Sequence, residues 1–188
     1  MSINITKEEI SQLDQAGINE LFIFCCKSGE LRTIKYLFGS SNVSLRPDLD
    51  FAEDFYNGLT YASANGHLNI VKYLLFEKKG EKASFDNFYQ DYLSLTCEGK
   101  HFHIMDYLLE HKIFDPERAF VNTHQYLQEP NELTRYLVMN CDIPISSNVQ
   151  EIMNKAPMIR AMFESRELNK ELSKNLSVSN SEDKKFKL

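Results

Sequence analysis

The chain has 188 residues, a formal net charge of −6 and hydrophobic residues at 43% of its positions. This length predicts one domain, and the absence of any apolar run of about 18 residues argues against a membrane span. The acidic balance argues against nucleic-acid binding, which needs lysine and arginine to neutralise phosphates, and favours a protein partner with a basic or mixed surface.

The first predicted element is a helix over residues 6–16. Thr6 and Glu9 have the spacing of a capping box, and Gly17 can end the helix in a left-handed conformation. The start of the chain is polar and acidic, unlike a secretory signal peptide, so we expect a cytoplasmic protein. We predict an N-terminal capping helix over residues 1–17.

A helical pattern follows that recurs in four copies. Apolar residues lie three and four positions apart in each copy, which places them on one helical face. A tyrosine marks the same place in every copy, after a polar residue that should face water. The intervals between these tyrosines, about 37, 34 and 29 residues, are typical of one helix pair per repeat. The tyrosines are Tyr36, Tyr73, Tyr107 and Tyr136.

The second copy is the most regular. Its first helix starts with Asn57-Gly58-Leu59-Thr60 and contains the small pair Ala62-Ser63, and Gly66-His67 joins it to a helix with Ile70-Val71 and Leu74-Leu75. This pattern resembles the ankyrin repeat, although the family's proline and histidine in the opening segment are missing. The resemblance covers residues 18–140, as about four repeats. It implies an all-α, ankyrin-repeat helical solenoid with divergent terminal capping helices.

The end of the chain is expected to close the stack. Asp115 and Pro116 predict a helix start, with Asp as the cap and Pro as the first helical residue, and Pro157 predicts another. We predict a degenerate C-terminal capping repeat over residues 141–165. A polar, largely disordered tail is expected over residues 166–188.

Two connections between helices, residues 39–56 and 76–90, carry the candidate binding residues. In the ankyrin family such connections project beside the concave face, which implies partner binding there. Aromatic anchors ringed by acids suit a binding hot spot, although each phenylalanine could instead pack under its own loop. The predicted partner-binding residues are Asp48, Asp50, Phe51, Asp54, Phe55, Tyr56, Phe85 and Tyr89.

The cysteines and histidines suggest no reaction centre. Cys25, Cys26 and Cys97 occupy the small-residue positions of first helices, so we expect them to be buried and not to form disulfides. His101 and His103 are two residues apart, which points their side chains away from each other on a helix. We predict no metal, no cofactor and no catalytic residue.

We therefore expect a non-catalytic, monomeric protein–protein interaction module that binds through its concave face and projecting loops. As a short stand-alone chain rich in asparagine and lysine, the sequence resembles the ankyrin proteins of intracellular bacteria and large DNA viruses. One setting is thus a bacterial effector, translocated into a host cell and acting on host proteins. An alternative is an immunity or inhibitor protein that neutralises a toxin enzyme. A third is an enzyme on a helical scaffold, which clustered titratable side chains in a cleft would favour.

Overall fold

The computed structural model of this chain shows an all-α protein. Its described residues form eleven helices and no strand. Within this described part, no helix is long and apolar enough to cross a membrane. The backbone is described over residues 5–39, 53–77, 89–124 and 129–185, and the side chains over residues 5–39, 56–75, 92–124 and 129–176.

The chain divides into two compact units, Met1–Phe114 (unit 1) and Asp115–Leu188 (unit 2). This division falls inside the region predicted as repeats, so the fourth aligned copy belongs to unit 2. The helices of unit 1 are α1 (Lys7–Ser11), α2 (Gln15–Ser28), α3 (Leu31–Gly39), α4 (Glu53–Ala64), α5 (Leu68–Lys72, continued by a π-helical segment Tyr73–Glu77), α6 (Tyr89–Glu98) and α7 (Phe102–Glu110).

The first helices of the aligned copies, α2, α4 and α6, pack side by side in unit 1. Helix α2 contacts α3 and α4, α4 contacts α5 and α6, and α6 contacts α7. A Cβ on Gly58 of α4 would lie 2.6 Å from Cζ of Phe22 on α2, so any side chain there would force the fully buried Phe22 ring to move. The small pairs of these helices are fully buried, as predicted: Cys25-Cys26, Ala62-Ser63 and Thr96-Cys97.

The N-terminal helix is shorter than the prediction. Thr6 and Glu9 form the expected capping box, but α1 ends after five residues. Gly17 lies in the first turn of α2, so its predicted role as a helix terminator is wrong. The reason is Asp14, whose Oδ1 accepts the Gly17 N–H at 2.8 Å and caps a new helix. The left-handed helix end is instead found at Gly29, with φ 83°.

Unit 2 contains α8 (Pro116–His124), α9 (Glu132–Asn140), α10 (Ser147–Lys155) and α11 (Pro157–Lys185). The predicted starts at Pro116 and Pro157 are confirmed, and the Asp115 Oδ1 accepts the Arg118 N–H at 2.7 Å. Helix α8 contacts α9 and α10, and both of these contact α11. Phe120 and Phe163 meet edge to face in this core, with ring centroids 5.5 Å apart.

A buried arginine fastens α11 to the end of α9. Arg166 is 6% exposed, donates from Nη1 to the Cys141 carbonyl at 3.2 Å, and lies over the Phe163 ring. Its Nη2 lies 2.8 Å from the Glu167 carboxylate, and this hydrogen-bonded pair lowers the Glu167 pKa. Arg166 therefore satisfies a carbonyl at the C-terminal end of α9, where a cation is favourable.

Helix α11 continues far beyond this contact. The sequence predicted a largely disordered tail over residues 166–188, whereas the structure places residues 166–185 in α11. Glutamate, lysine and leucine, which are strong helix formers, are frequent over residues 167–176 and favour the helix there, whereas the weaker helix former serine is frequent beyond them.

Candidate functional site

The predicted partner-binding residues fall mostly outside the described side chains. Four lie outside the described residues altogether: Asp48, Asp50, Phe51 and Phe85. Three have a described backbone without a described side chain: Asp54 and Phe55 in α4, and Tyr89 at the start of α6. For these residues, contact with a partner stays a prediction.

Tyr56 lies inside a helix rather than in a connection, because α4 already begins at Glu53. Its side chain is 8% exposed, and burial raises its pKa. Tyr56 therefore packs in the core of unit 1, and its contact with a partner stays a prediction.

The first helices instead expose a row of apolar side chains that the sequence analysis did not select. Phe24 on α2 is 48% exposed and Leu95 on α6 is 39% exposed, with the half-buried Tyr61 at the same place on α4. Each of the three directly precedes a buried small pair, so the helix turns this residue outward and the next two inward. We call these three residues the first-helix row.

A shallow groove on α2 adjoins this row. The Nζ of Lys27 lies 4.0 Å from the centroid of the Tyr61 ring, a cation–π contact that links α2 to α4. The exposed surface of the groove is therefore mostly apolar. It lies between the Glu20 carboxylate and Lys27, and Lys27 already contacts Tyr61. The groove encloses about 340 Å³ and is lined by Asn19, Glu20, Ile23, Phe24 and Lys27.

A second set of lysine–tyrosine contacts joins consecutive second helices. The residue before each aligned tyrosine is exposed, as predicted. In two copies this residue is a lysine that reaches the tyrosine of the following copy, and α1 supplies the first contact of the series. From Nζ to ring centroid, the pairs are Lys7–Tyr36 at 5.2 Å, Lys35–Tyr73 at 5.0 Å and Lys72–Tyr107 at 4.5 Å.

Histidines add a repeated contact between copies. The ring of His67 covers Gly29, where a Cβ would lie 2.8 Å from its Cε1, and His101 covers Gly66 in the same way at 2.7 Å. Gly29 and Gly66 have φ values of 83° and 80°, a conformation that favours glycine. The Nε2 of His67 donates to the Lys27 carbonyl at 3.0 Å, near the C-terminal end of α2. This bond satisfies a carbonyl that the helix itself leaves unpaired.

The described cysteines are poorly suited to nucleophilic chemistry. Cys25, Cys26, Cys97 and Cys141 are all buried, and none of the four forms a disulfide. Burial, with a contribution from the Glu30 charge, raises the pKa of Cys25 to about 12, and burial also raises the pKa of Cys26. Both thiols therefore stay protonated at neutral pH. Over the described ranges, no group of three or more His, Cys, Asp or Glu residues is placed to hold a metal ion.

Comparisons with known proteins give limited additional information. No family model matches the chain, and no solved structure matches it. The chain is similar to the palmitoyltransferase AKR1 of Lachancea kluyveri, with 30% identity over 86 residues. The match covers 46% of this chain and 12% of the length of that transferase, so the similarity concerns a small part of the larger protein.

Proposed function

We propose that this chain is a non-catalytic protein–protein interaction module, built as a stack of ankyrin-like helix pairs. It binds a partner protein through the first-helix row and the connections beside it. The observation that carries this proposal is the exposure of apolar side chains at one place on successive packed helices. Such a surface gains free energy when a partner removes it from water.

The stacked arrangement is supported by contacts that repeat from copy to copy. Lys35 and Lys72 each approach a tyrosine of the following copy, and His67 and His101 each cover a glycine of the preceding copy. Contacts between nearest neighbours at one register are typical of repeat proteins. The match to AKR1, a protein with ankyrin repeats, supports the same proposal.

The row would act by rigid display. Its side chains stand on helices that are fixed by close packing of small residues, so little conformational entropy is lost on binding. The exposed acids Glu20 and Glu98 lie on the same helices, whereas Lys27 already contacts Tyr61. The proposed partner therefore presents apolar side chains with basic neighbours.

The test begins with affinity capture from lysates to obtain a partner, followed by calorimetric titration of the purified pair. We expect Phe24→Ala and Leu95→Ala each to weaken binding by at least about tenfold. The matched control is Phe102→Ala, because Phe102 is 39% exposed, like Leu95, but lies on α7, a second helix. This control should change the affinity by less than about twofold.

A further arm of the titration separates the row from the first connection. Three acids of that region are reversed to lysine and the affinity is measured at two ionic strengths. Weaker binding with less salt dependence would place a contact in the connection. Unchanged affinity of Phe24→Ala and Leu95→Ala, with wild-type melting curves, would remove the row from the proposal. The reversed residues are Asp48, Asp50 and Asp54.

A further inference from the structure

Helix α11 carries exposed apolar side chains on the face opposite to its packed face. Ile159, Phe163 and Arg166 face the core of unit 2 and are 0%, 1% and 6% exposed. At about 100° per residue, the opposite side of the helix carries a line of apolar residues that we call the α11 stripe. Its members are Met158 (55% exposed), Leu168 (56%), Leu172 (51%) and Leu176 (64%).

The stripe continues an apolar surface of unit 2. Ala161 and Ser165 lie on the same side of α11 as the stripe, and both also line a groove beside α9. Met139 of α9, another lining residue, is 48% exposed. Contiguous exposed apolar surface of this kind marks an interaction site. The groove encloses about 340 Å³ and is lined by Arg135, Met139, Ala161, Met162 and Ser165.

The length of α11 gives a physical reason to expect that another surface buries the α11 stripe. The helix has 29 residues, whereas the buried face described above ends at Arg166. The remaining segment, about 19 residues or 28 Å long, is only marginally stable as a helix in water without packing. Burying the stripe would therefore stabilise the segment as well as the interface.

The charges of this segment favour a second copy of the chain as the partner that buries the stripe. Glu167 and Lys170 lie on the back of the helix, where Lys170 Nζ is 3.2 Å from Asp142 and 3.4 Å from Glu167. Over residues 167–176, the positions that flank the stripe are Asn169, Ser173, Asn175 and the single charged residue Glu171. Because three of these four flanking residues are uncharged, the flanks do not select a partner of opposite charge, and two identical surfaces can approach with little like-charge repulsion.

We propose that the α11 stripe is a self-association surface, on which Leu168, Leu172 and Leu176 of two copies pack together across a two-fold axis. A two-fold interface uses the same patch on both copies, so Leu172 would lie near Leu172 of the second copy. The proposal concerns unit 2 and does not depend on the function proposed for unit 1. It departs from the monomer expected from the sequence.

The first test is sedimentation equilibrium of the full chain over about 5–300 µM. We expect a concentration-dependent dimer, and Leu168→Gln/Leu172→Gln should raise its dissociation constant by at least about tenfold. Glutamine is used because it is uncharged and a good helix former. The control Lys174→Gln, on the back of the helix, should leave the dissociation constant within about twofold.

The second test places one cysteine at a time on α11 and adds a short bis-maleimide crosslinker. The four native cysteines are buried, so the added thiol is the reactive one. Leu172→Cys should give a covalent dimer, and Lys174→Cys much less. A chain that stays monomeric at about 300 µM would overturn the proposal. Equal crosslinking of the two variants, or a dimer that the double leucine variant leaves unchanged, would overturn it as well.

Discussion

Replacing Gly66 with alanine tests the repeated histidine–glycine contact. Gly66 has φ 80°, and a Cβ there would lie 2.7 Å from both Cε1 and Nδ1 of His101. That separation is below van der Waals contact, so the imidazole must move. Lys100, at the aligned position of the next copy, has φ 58°. The left-handed backbone thus tolerates a side chain, and the clash with His101 should be the larger cost.

The expected loss of stability combines three contributions. A non-glycine residue in the left-handed region costs about 1 kcal/mol. Displacing a packed ring costs about 1–3 kcal/mol, as in overpacked cores. Alanine also restricts the unfolded chain, which offsets about 0.4–1 kcal/mol. We therefore expect Gly66→Ala to lower the free energy of unfolding by about 1–3.6 kcal/mol, and Gly66→Val by more, because valine is β-branched.

The assay is urea unfolding followed by far-UV circular dichroism, with Gly66→Ala, His101→Ala and the double variant. If the clash is present, alanine at 66 costs less once the ring is removed, with a coupling energy of about 1–2 kcal/mol. Gly39→Ala is the control, since among the described residues no atom outside the adjoining α3 backbone lies within 4 Å of a Cβ at Gly39. It should not destabilise the protein, and it should raise the free energy of unfolding by up to about 1 kcal/mol because alanine restricts the unfolded chain. Additive effects of the two substitutions would refute the reasoning.

Two further substitutions should stabilise unit 1. The backbone of Lys100 is left-handed (φ 58°), so Lys100→Gly removes the strain that a side chain causes there. After the greater freedom of glycine in the unfolded chain is counted, we expect the free energy of unfolding in urea to rise by about 0.5–1 kcal/mol. A lower urea midpoint would contradict this. Ser63→Ala removes a fully buried hydroxyl that makes no hydrogen bond and adds a better helix former, so unfolding should require about 1 kcal/mol more. A loss of stability in this variant would show that the hydroxyl is satisfied.

The sequence predicted best those features that depend on neighbouring residues alone. The capping box of Thr6 and the helix starts at Pro116 and Pro157 follow from local hydrogen bonding and a fixed φ, and all are present. The burial of small pairs such as Ala62-Ser63 follows from the helical period and is also present. In each case the signal lies within a few residues of the feature that it specifies.

Features that depend on competition between signals were harder to predict. Asp14 favours the start of a helix, whereas Gly17 is suited to the end of one. The structure follows Asp14, whose side chain accepts a hydrogen bond from the Gly17 N–H. The first-helix row did have a signal, because the residue before each small pair is apolar in three copies. The prediction did not include this row, because the family resemblance favours the connections as the binding residues.

The lysine–tyrosine contacts of unit 1 have a polarity along the chain. In each pair the cation comes from the earlier element and the ring from the later one, beginning with Lys7 over Tyr36. Losing the last element would return a lysine to water, where an ammonium is well hydrated. Losing α1 would leave the ring of Tyr36 without its cation. Fraying should therefore be easier from the later end of this array, with α1 protecting the earlier end.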